Sequence, residues 1–371
     1  MMRVAVIPAL QPDKRLVSYT RSLLARSFAR VVVVDDGSGP DYAAIFEAVA
    51  ALPGATVLRH AVNRGKGAAL KTAFAQLRET LDQPAVIVTA DCDGQHAVAD
   101  VENVARCLEE RLPARALVLG TRDFGKDNVP FKSRAGNRIT SVCFRLACRV
   151  RLPDTQTGLR AFSTELLPEM LDIEGERYEY EMRMLAYAAK HRIDLVQCPI
   201  ETVYENNNAG SHFHPWRDSA RVYRALFGPV VKYALASLAG TAVDFAAFYL
   251  LSAILFRGEA FADVIAATVL ARVLSALCNY LLNRRFVFAS KARGSLPRYA
   301  VLAVATLLAS SGAVYLGVRL FRLLWGAGVG AEMVKTILKA IVDTLLFFAN
   351  YHLCRYWVFP PGEKSEKPQS R

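Results

Sequence analysis

Hydrophobic residues follow two different patterns along roughly the first 120 positions of the chain. Short apolar runs rich in β-branched side chains predict strands, and segments with apolar residues at helical spacing predict helices. The predicted strands cover residues 3–8, 30–36, 55–59, 86–90 and 115–120, and the predicted helices cover 14–28, 42–51, 66–81 and 98–111. Apolar runs without polar alternation are typical of strands that are buried on both faces. The alternation of strand and helix therefore predicts an α/β domain with a mostly parallel sheet.

The pattern changes after residue 230, where long apolar stretches replace the short runs. Four of them, at 233–256, 262–282, 299–321 and 333–358, reach the length of about 20 residues that a helix needs to cross a bilayer. The loop between the second and third is rich in bases, which are Arg284, Arg285, Lys291, Arg293 and Arg298. By the positive-inside rule we expect this loop, the C-terminus and the α/β domain to face the cytoplasm. The expected location is a bacterial cytoplasmic membrane.

Two segments carry basic residues on one helical face and apolar residues on another. Residues 132–150 carry Arg134, Arg138, Arg145 and Arg149 opposite Ile139, Val142, Cys143 and Leu146. Residues 215–231 carry Arg217, Arg221 and Arg224 beside Trp216, Ala220, Tyr223 and Phe227. A solvated basic face is an equal alternative for the first segment alone, but the pair favours helices in a membrane interface. We therefore expect an α/β domain at 1–214, an interfacial helix at 215–231, an all-α membrane domain at 232–359 and a disordered tail at 360–371.

Composition supports a membrane-bound partner for this basic chain. The 371 residues are 53% hydrophobic and carry a formal net charge of +12 at pH 7. Such a charge suits nucleic acid, or a membrane surface with a phosphorylated substrate. The apolar content favours the membrane, and we expect no nucleic acid partner. The seven cysteines are scattered without a CxxC pair, which indicates neither a disulfide framework nor a zinc site.

Acidic side chains follow the predicted strand at 86–90. Asp91 and Asp93 stand one residue apart at its carboxyl end, with Gln95 beside them, and such oxygen ligands suit Mg²⁺ or Mn²⁺. A solvated Asp-rich turn is the alternative for this pattern taken alone. Lys66 lies between two glycines at a predicted helix start, where free N–H groups and a cation favour an anion, although an ordinary helix start is the alternative. Arg122 follows another strand and could hold phosphate oxygens.

Six motifs in order resemble family 2 glycosyltransferases of the Rossmann-like GT-A fold, and most closely the polyprenyl-phosphate sugar synthases. They are IPALQP (7–12), VVDDGSG (33–39), NRGKGAALKTAF (63–74), TADCDGQH (89–96), GTRDFG (120–125) and DTQTGLRAF (154–162). The resemblance implies a nucleotide-sugar donor, either GDP-mannose or a UDP-hexose, and a divalent metal on Asp91, Asp93 and Gln95. The implied donor-binding residues are Pro8, Leu10, Pro12, Val34, Asp36, Lys66, Asp91, Cys92, Asp93 and Arg122. Leu10–Pro12 departs from the family's usual motif, so the base stays open between uracil and guanine.

The same resemblance implies inverting transfer to a polyprenyl phosphate, either dolichyl or undecaprenyl phosphate. Lys132, Ser133 and Arg134, with Arg122, are the candidates for holding the acceptor phosphate. The catalytic candidates are Asp91, Asp93, Arg122 and Arg134. The sequence assigns no role to Asp154, Glu181, His212 and His214.

The membrane half contains an internal repeat and resembles GtrA-like proteins. NYLLNRRFVF (279–288) matches NYHLCRYWVF (350–359) at six positions that include its Asn, Tyr and Arg. Charged residues also lie within or near the spans, namely Asp244, Arg272, Lys335, Lys339 and Asp343. Charge there usually faces a bundle interior or a cavity. The alternative to an enzyme is therefore a flippase or carrier of polyprenyl-phosphate-linked sugars whose soluble domain only binds the donor.

Overall fold

The computed structural model describes residues 1–124, 131–201, 215–255, 261–325 and 331–360. It divides into two compact units, Met1–Phe227 and Gly228–Arg371. Of the tail predicted at 360–371, residues 361–371 lie outside the described residues, as do His212 and His214.

The first unit is built on a seven-stranded sheet with the order β3-β2-β1-β4-β6-β5-β7. The strands are β1 (Met2–Ala9), β2 (Arg30–Asp35), β3 (Ala55–Arg59), β4 (Ala85–Thr89), β5 (Ala116–Arg122), β6 (Arg160–Ser163) and β7 (Asp194–Ile200). All neighbouring strands are parallel except for β6, which pairs antiparallel with both β4 and β5. The predicted α/β class and mostly parallel sheet are confirmed. The antiparallel β6 is an element that the sequence pattern does not predict.

In the described part of the first unit, seven α-helices accompany the sheet and lie on both of its faces. They are α1 (Arg15–Arg26), α2 (Ala43–Ala50), α3 (Lys66–Thr80), α4 (Val98–Glu109), α5 (Phe131–Cys148), α6 (Leu167–Asp172) and α7 (Glu179–Lys190). Two apolar cores result, one on each face, because the inner strands are made of Val, Ile, Leu and Ala that point alternately to the two sides. Gly67 lets α3 approach α7 closely, since a Cβ there would lie 2.5 Å from the Cβ of Tyr180.

Helix α5 leaves part of its apolar surface uncovered. Phe144 is fully buried, whereas Ile139, Val142 and Leu146 are 55%, 52% and 69% exposed. Arg134 and the other arginines of this helix are exposed as well. The basic, partly apolar outer face predicted for this segment is therefore present on α5.

The second unit contains four long helices, of which the first begins in the first unit. They are α8 (Pro215–Ile254), α9 (Phe261–Leu282), α10 (Ser295–Trp325) and α11 (Ala331–Leu353). Each has the length and composition to cross a membrane. The segment 215–231, predicted as a separate interfacial helix, is the first part of α8 and has no break before the span.

The two hairpins of the second unit repeat their contacts. A π-helical turn follows α9 at Asn283–Val287, and another follows α11 at Cys354–Val358. Aromatic rings pack together at this end of the unit, among them Tyr233, Tyr280, Phe288, Tyr351 and Phe359.

Charged groups lie within the spans, as predicted, and four of the five predicted residues pair within their own hairpin. In the first hairpin, Arg272 Nη1 lies 3.4 Å from Asp244 Oδ2, and Ser275 donates to the same carboxylate at 3.1 Å. In the second, Lys339 and Ser310 donate to Asp343 at 2.6 and 2.7 Å. Polar contacts of this kind hold transmembrane helices together, because lipid offers such groups no alternative partner.

Candidate active site

The predicted site residues meet at the edge formed by the carboxyl ends of the parallel strands. Asp36, Asp91 and Arg122 stand at or just beyond the ends of β2, β4 and β5. Because β6 runs in the opposite direction, the loop that precedes it, residues 154–159, reaches the same edge. The hydroxyl of Thr89 donates to the carbonyl of Gly158 at 2.8 Å and joins this loop to β4. The edge is therefore built from both early and late parts of the sheet.

Lys66 links two acidic side chains across the centre of the site. It is the first residue of α3, and its Nζ lies 2.6 Å from Asp91 Oδ1 and 3.0 Å from Glu181 Oε1. Burial opposes the Lys66 charge, but the two carboxylates outweigh it and hold the pKa of Lys66 above its ordinary value. Burial likewise acts to raise the pKa of Asp91, and the Lys66 ammonium with His96 lowers it further than burial raises it. The pair is therefore charged on both sides.

Asp91 keeps its carboxylate open because its neighbour in the loop before β6 has no side chain. A Cβ at Gly158 would lie 2.5 Å from Asp91 Oδ2 and 2.6 Å from Oδ1. With glycine there, 31% of the Asp91 side chain is exposed. His96, which is itself buried, places Nε2 3.4 Å from Asp91 Oδ2.

Asp93 adds a second carboxylate beside Asp91. Its Oδ1 accepts a hydrogen bond from the backbone N–H of Gln95 at 3.0 Å. Burial and the negative charge of Asp91 raise the pKa of Asp93. Such mutual repulsion of two carboxylates is relieved by a cation, and partly exposed carboxylate oxygens are the ligands that Mg²⁺ and Mn²⁺ prefer. The two carboxylates, and the space that Gly158 leaves beside Asp91, therefore fit a divalent ion.

Within the described residues, no group of three or more His, Cys, Asp or Glu side chains is placed to hold a metal. This finding agrees with a site that offers a metal two carboxylates and leaves its other positions to substrate, water or the Gln95 amide.

Arg122 is held by a buried acid that the sequence left without a role. Its Nε and Nη2 donate to Asp154 at 2.7 and 3.0 Å, and the side chain of Asp154 is completely buried. The backbone N–H groups of Arg122 and Gln156 donate to the same carboxylate. The sequence placed Arg122 against phosphate, and the structure shows that two of its donors are bound to Asp154 instead. The guanidinium is thereby fixed in orientation at the edge of the site.

Asp36, expected near the nucleotide base, binds the loop that leads into α3. It accepts hydrogen bonds from the backbone N–H groups of Arg64 and Gly65 at 2.9 and 2.7 Å, and from His60 Nδ1 at 2.7 Å. The carboxylate is nearly inaccessible. In this structure Asp36 therefore organises the segment that delivers Lys66.

A buried arginine lies beneath the carboxylates. Arg160 is 1% exposed, and it donates to the carbonyl oxygens of Thr157 and Glu181 at 3.0 and 2.6 Å. It joins the loop before β6 to α7, and thus links Gly158 to Glu181. Acidic side chains still outnumber basic ones around this edge, so that a bound cation improves the balance of charge.

The remaining donor-side candidates differ in their accessibility. Val34 and Pro8 are buried in the sheet, Pro12 is buried, and Leu10 and Cys92 are half-buried. Burial, with the charges of Asp91 and Asp93, raises the pKa of the Cys92 thiol to about 12. The thiol is therefore neutral at physiological pH.

The acceptor-side candidates lie on the first turn of α5. Arg134 is exposed there. The side chains of Lys132 and Ser133 lie outside the described residues, although the helix backbone at these positions is described.

A mostly parallel sheet with paired carboxylates at its carboxyl edge, followed by four helices of spanning length, agrees with the class that the family matches give, a membrane-attached glycosyltransferase. Residues 4–168 match the glycosyl transferase family 2 domain, and residues 232–359 match the GtrA/DPMS transmembrane domain. The chain belongs to glycosyltransferase family 2.

Two curated relatives match the first part of the chain. An uncharacterized protein of Methanocaldococcus jannaschii is 34% identical over 203 residues, which cover 54% of this chain and 80% of the relative. The UDP-N-acetylglucosamine–dolichyl-phosphate N-acetylglucosaminyltransferase of Methanococcus voltae is 26% identical over 216 residues, which cover 54% of this chain and 84% of the relative.

Solved structures of sugar transferases are also similar to this chain. Glucosyl-3-phosphoglycerate synthase from Mycobacterium tuberculosis, in complex with phosphoglyceric acid, is 18% identical with a TM-score of 0.46, and the match covers 61% of this chain and 79% of that one. Mannosyl-3-phosphoglycerate synthase from Rubrobacter xylanophilus is 18% identical with a TM-score of 0.45, over 61% of this chain and 71% of that one.

Proposed function

We propose that the chain transfers a sugar from a nucleoside-diphosphate sugar to a polyprenyl phosphate at the cytoplasmic face of the membrane, with inversion at the anomeric carbon. The observation that carries this proposal is the pair Asp91 and Asp93 at the end of β4, with Lys66 bound to Asp91 at 2.6 Å. The family 2 domain joined to a GtrA/DPMS domain supports a lipid-linked acceptor. The similarity to the dolichyl-phosphate N-acetylglucosaminyltransferase of Methanococcus voltae supports the same class.

Asp91 and Asp93, with the amide of Gln95, would hold Mg²⁺ or Mn²⁺. Held by these residues, the ion would supply positive charge against a departing diphosphate. Glucosyl-3-phosphoglycerate synthase from Mycobacterium tuberculosis was crystallised with Mn²⁺ and UDP, which is a property of that protein.

The chain's own groups add positive charge beside those carboxylates. Lys66 opens α3, where the helix dipole favours an anion; the N–H of Ala68 in this turn already donates to the carbonyl of Glu176. Asp154 keeps the guanidinium of Arg122 in one orientation. The guanidinium therefore does not have to be reoriented when a substrate binds. The acceptor phosphate is already an anion, so that transfer depends on alignment and charge neutralisation more than on a strong general base.

Helix α5 supplies a surface suited to a lipid acceptor. Its exposed side chains Ile139, Val142 and Leu146 lie among exposed arginines. Apolar residues of this kind enter the headgroup region of a bilayer, and the arginines attract its anionic lipids. Arg134 on the first turn would hold the acceptor phosphate.

The direct test is a transfer assay with the purified full chain. We expect one UDP- or GDP-sugar from a panel to be consumed with polyprenyl phosphate and a divalent metal, and a lipid-linked sugar to form. Transfer to water alone, or to a soluble phosphorylated acceptor in preference to the lipid, would contradict the proposed acceptor.

Replacing Arg134 by alanine is expected to weaken the acceptor side selectively. A lost charge-assisted contact to phosphate costs about 1.5–3 kcal/mol, so the KM for polyprenyl phosphate should rise by about tenfold or more while the KM for the sugar nucleotide stays the same. Arg21→Ala, on the exposed face of α1, is the matched control. A defect confined to the donor would assign Arg134 to the opposite side of the reaction.

Charged residues inside the spans raise a second candidate function, movement of the lipid-linked product across the membrane. If the spans serve as an anchor, Asp244→Asn, Arg272→Gln and Asp343→Asn should each leave synthesis nearly unchanged, because the polar contacts of these side chains lie within the second unit. We expect this result. Leaflet-resolved product in sealed proteoliposomes distinguishes the functions: rapid appearance on the far side that these variants abolish would establish the carrier.

A further inference from the structure

An open groove of about 850 Å³ runs along the end of α9 in the second unit. Its wall is mainly apolar and includes Leu274, Leu277, Leu281 and Phe286. The three leucines are each at least 43% exposed. The volume lies within the range of sites that hold small ligands or lipid chains.

Two adjacent arginines form the polar end of this groove. Arg284 Nη1 lies 3.1 Å from the hydroxyl oxygen of Tyr280, which holds the half-buried guanidinium in place. Arg285 is exposed, with its guanidinium 5.8 Å from the Phe286 ring centre. Neither forms an ion pair with an acidic side chain in the described ranges. The groove therefore ends in two positive charges that no described acid balances.

The π-helical turn explains why both arginines reach the same place. The carbonyl of Asn283 accepts a hydrogen bond from the N–H of Phe288 at 2.9 Å. The turn after α9 therefore contains one residue more than an α-helical turn. Arg284 and Arg285 lie inside this turn, just beyond the last leucines of the span. The arginines lie at the end of the span and the apolar surface lies within it. A lipid is divided in the same way, with a charged phosphate at the membrane surface and hydrocarbon chains inside.

We propose that this groove binds one acidic phospholipid of the bilayer, with an acyl chain against the leucines and the phosphate at Arg284 and Arg285. A phospholipid is favoured for two reasons. Its phosphate supplies the negative charge that balances the two arginines, and acidic phospholipids surround the spans at high concentration. This binding is separate from sugar transfer and does not depend on it.

The internal repeat provides a control site within the same molecule. Arg355 corresponds to Arg284 and has the same contact, with Nη1 3.4 Å from the Tyr351 hydroxyl. The position corresponding to Arg285 is Tyr356, so the second hairpin has one arginine where the first has two. A site that depends on paired arginines should therefore exist in the first hairpin and not in the second.

Native mass spectrometry of the full chain, released from nanodiscs with equal phosphatidylglycerol and phosphatidylcholine, tests this proposal. We expect the wild type to retain one phosphatidylglycerol, and Arg285→Gln to retain it about tenfold less well, since one charge-assisted phosphate contact is lost. Arg355→Gln should retain it like the wild type. Leu277→Trp, which fills the groove without changing charge, should also lose it.

Four results would overturn the proposal. The first is equal retention of both lipids by the wild type, and the second is equal loss in Arg285→Gln and Arg355→Gln. The third is full retention by Leu277→Trp. The fourth is displacement of phosphatidylglycerol by equimolar undecaprenyl phosphate, which would assign the groove to the single-chain lipid. Far-UV circular dichroism accompanies each variant, and Arg285 is suited to the test because its exposed side chain accepts replacement without disturbing the core.

Discussion

Asp91→Asn is expected to lower sugar transfer by about a thousandfold while the chain stays folded. The substitution keeps the shape of the side chain but removes the charge that faces Lys66 at 2.6 Å. The same charge would hold the proposed divalent ion together with Asp93. Loss of charge that is placed to stabilise a departing diphosphate raises the free energy of the transition state directly. Folding should persist because the side chain is 31% exposed and lies outside both apolar cores.

The measurement is transfer of labelled sugar to polyprenyl phosphate, with thermal unfolding followed in parallel. Asp82→Asn is the matched control, because Asp82 is an exposed aspartate near the opposite end of β4. Chelation with EDTA should inactivate the wild type to a similar extent, and added Mg²⁺ or Mn²⁺ should restore it. Full activity in EDTA would show that the carboxylates act without a metal.

Gly158→Ala is expected to reduce transfer by about a hundredfold, although it adds a single methyl group. The new Cβ would lie 2.5 Å from an Asp91 oxygen, closer than van der Waals contact allows, so the carboxylate or the loop must move. Movement of the carboxylate also disturbs its contact with Lys66. The expected defect is in kcat, because the substitution displaces charge near the reacting centre and leaves the exposed face of α5 unchanged.

Gly136→Ala serves as the control for this prediction. A Cβ there would meet its nearest neighbour, the Gln156 side chain, at 3.9 Å, which is ordinary contact. Alanine in the interior of α5 also favours the helix. Equal activity of the two glycine variants would mean that Asp91 needs no clearance on that side.

The sheet and the spans were predictable because their signals are local. The Val- and Ile-rich runs at β1, β2 and β4 predict strands that are buried on both faces. Apolar stretches of spanning length predict membrane helices. The position of Asp91 and Asp93 at a strand end followed from the same pattern.

The contacts that orient the site were beyond sequence reasoning because they are non-local. Arg122 and Asp154 are separated by 32 residues, and nothing in the intervening pattern indicates that they form a buried pair. Lys66 and Glu181 meet across a greater distance in the chain. Arg160 was missed for a further reason: a strand of four residues that begins with arginine resembles a surface segment, yet this arginine is 1% exposed.

The insertion of β6 between β4 and β5 also constrains how the protein is made. The carboxylates at the end of β4 leave the ribosome early, but the hydrogen bond that joins this strand to Gly158 links residues 69 positions apart. Strand β5 cannot take its final place in the sheet until β6 has been synthesised, since β6 lies between it and β4. Contacts over such separations form late and slowly. A nascent chain that stalls before residue 154 therefore carries Asp91 and Asp93 at an unfinished sheet, in which the edges of β4 and β5 that pair with β6 have no partner strand.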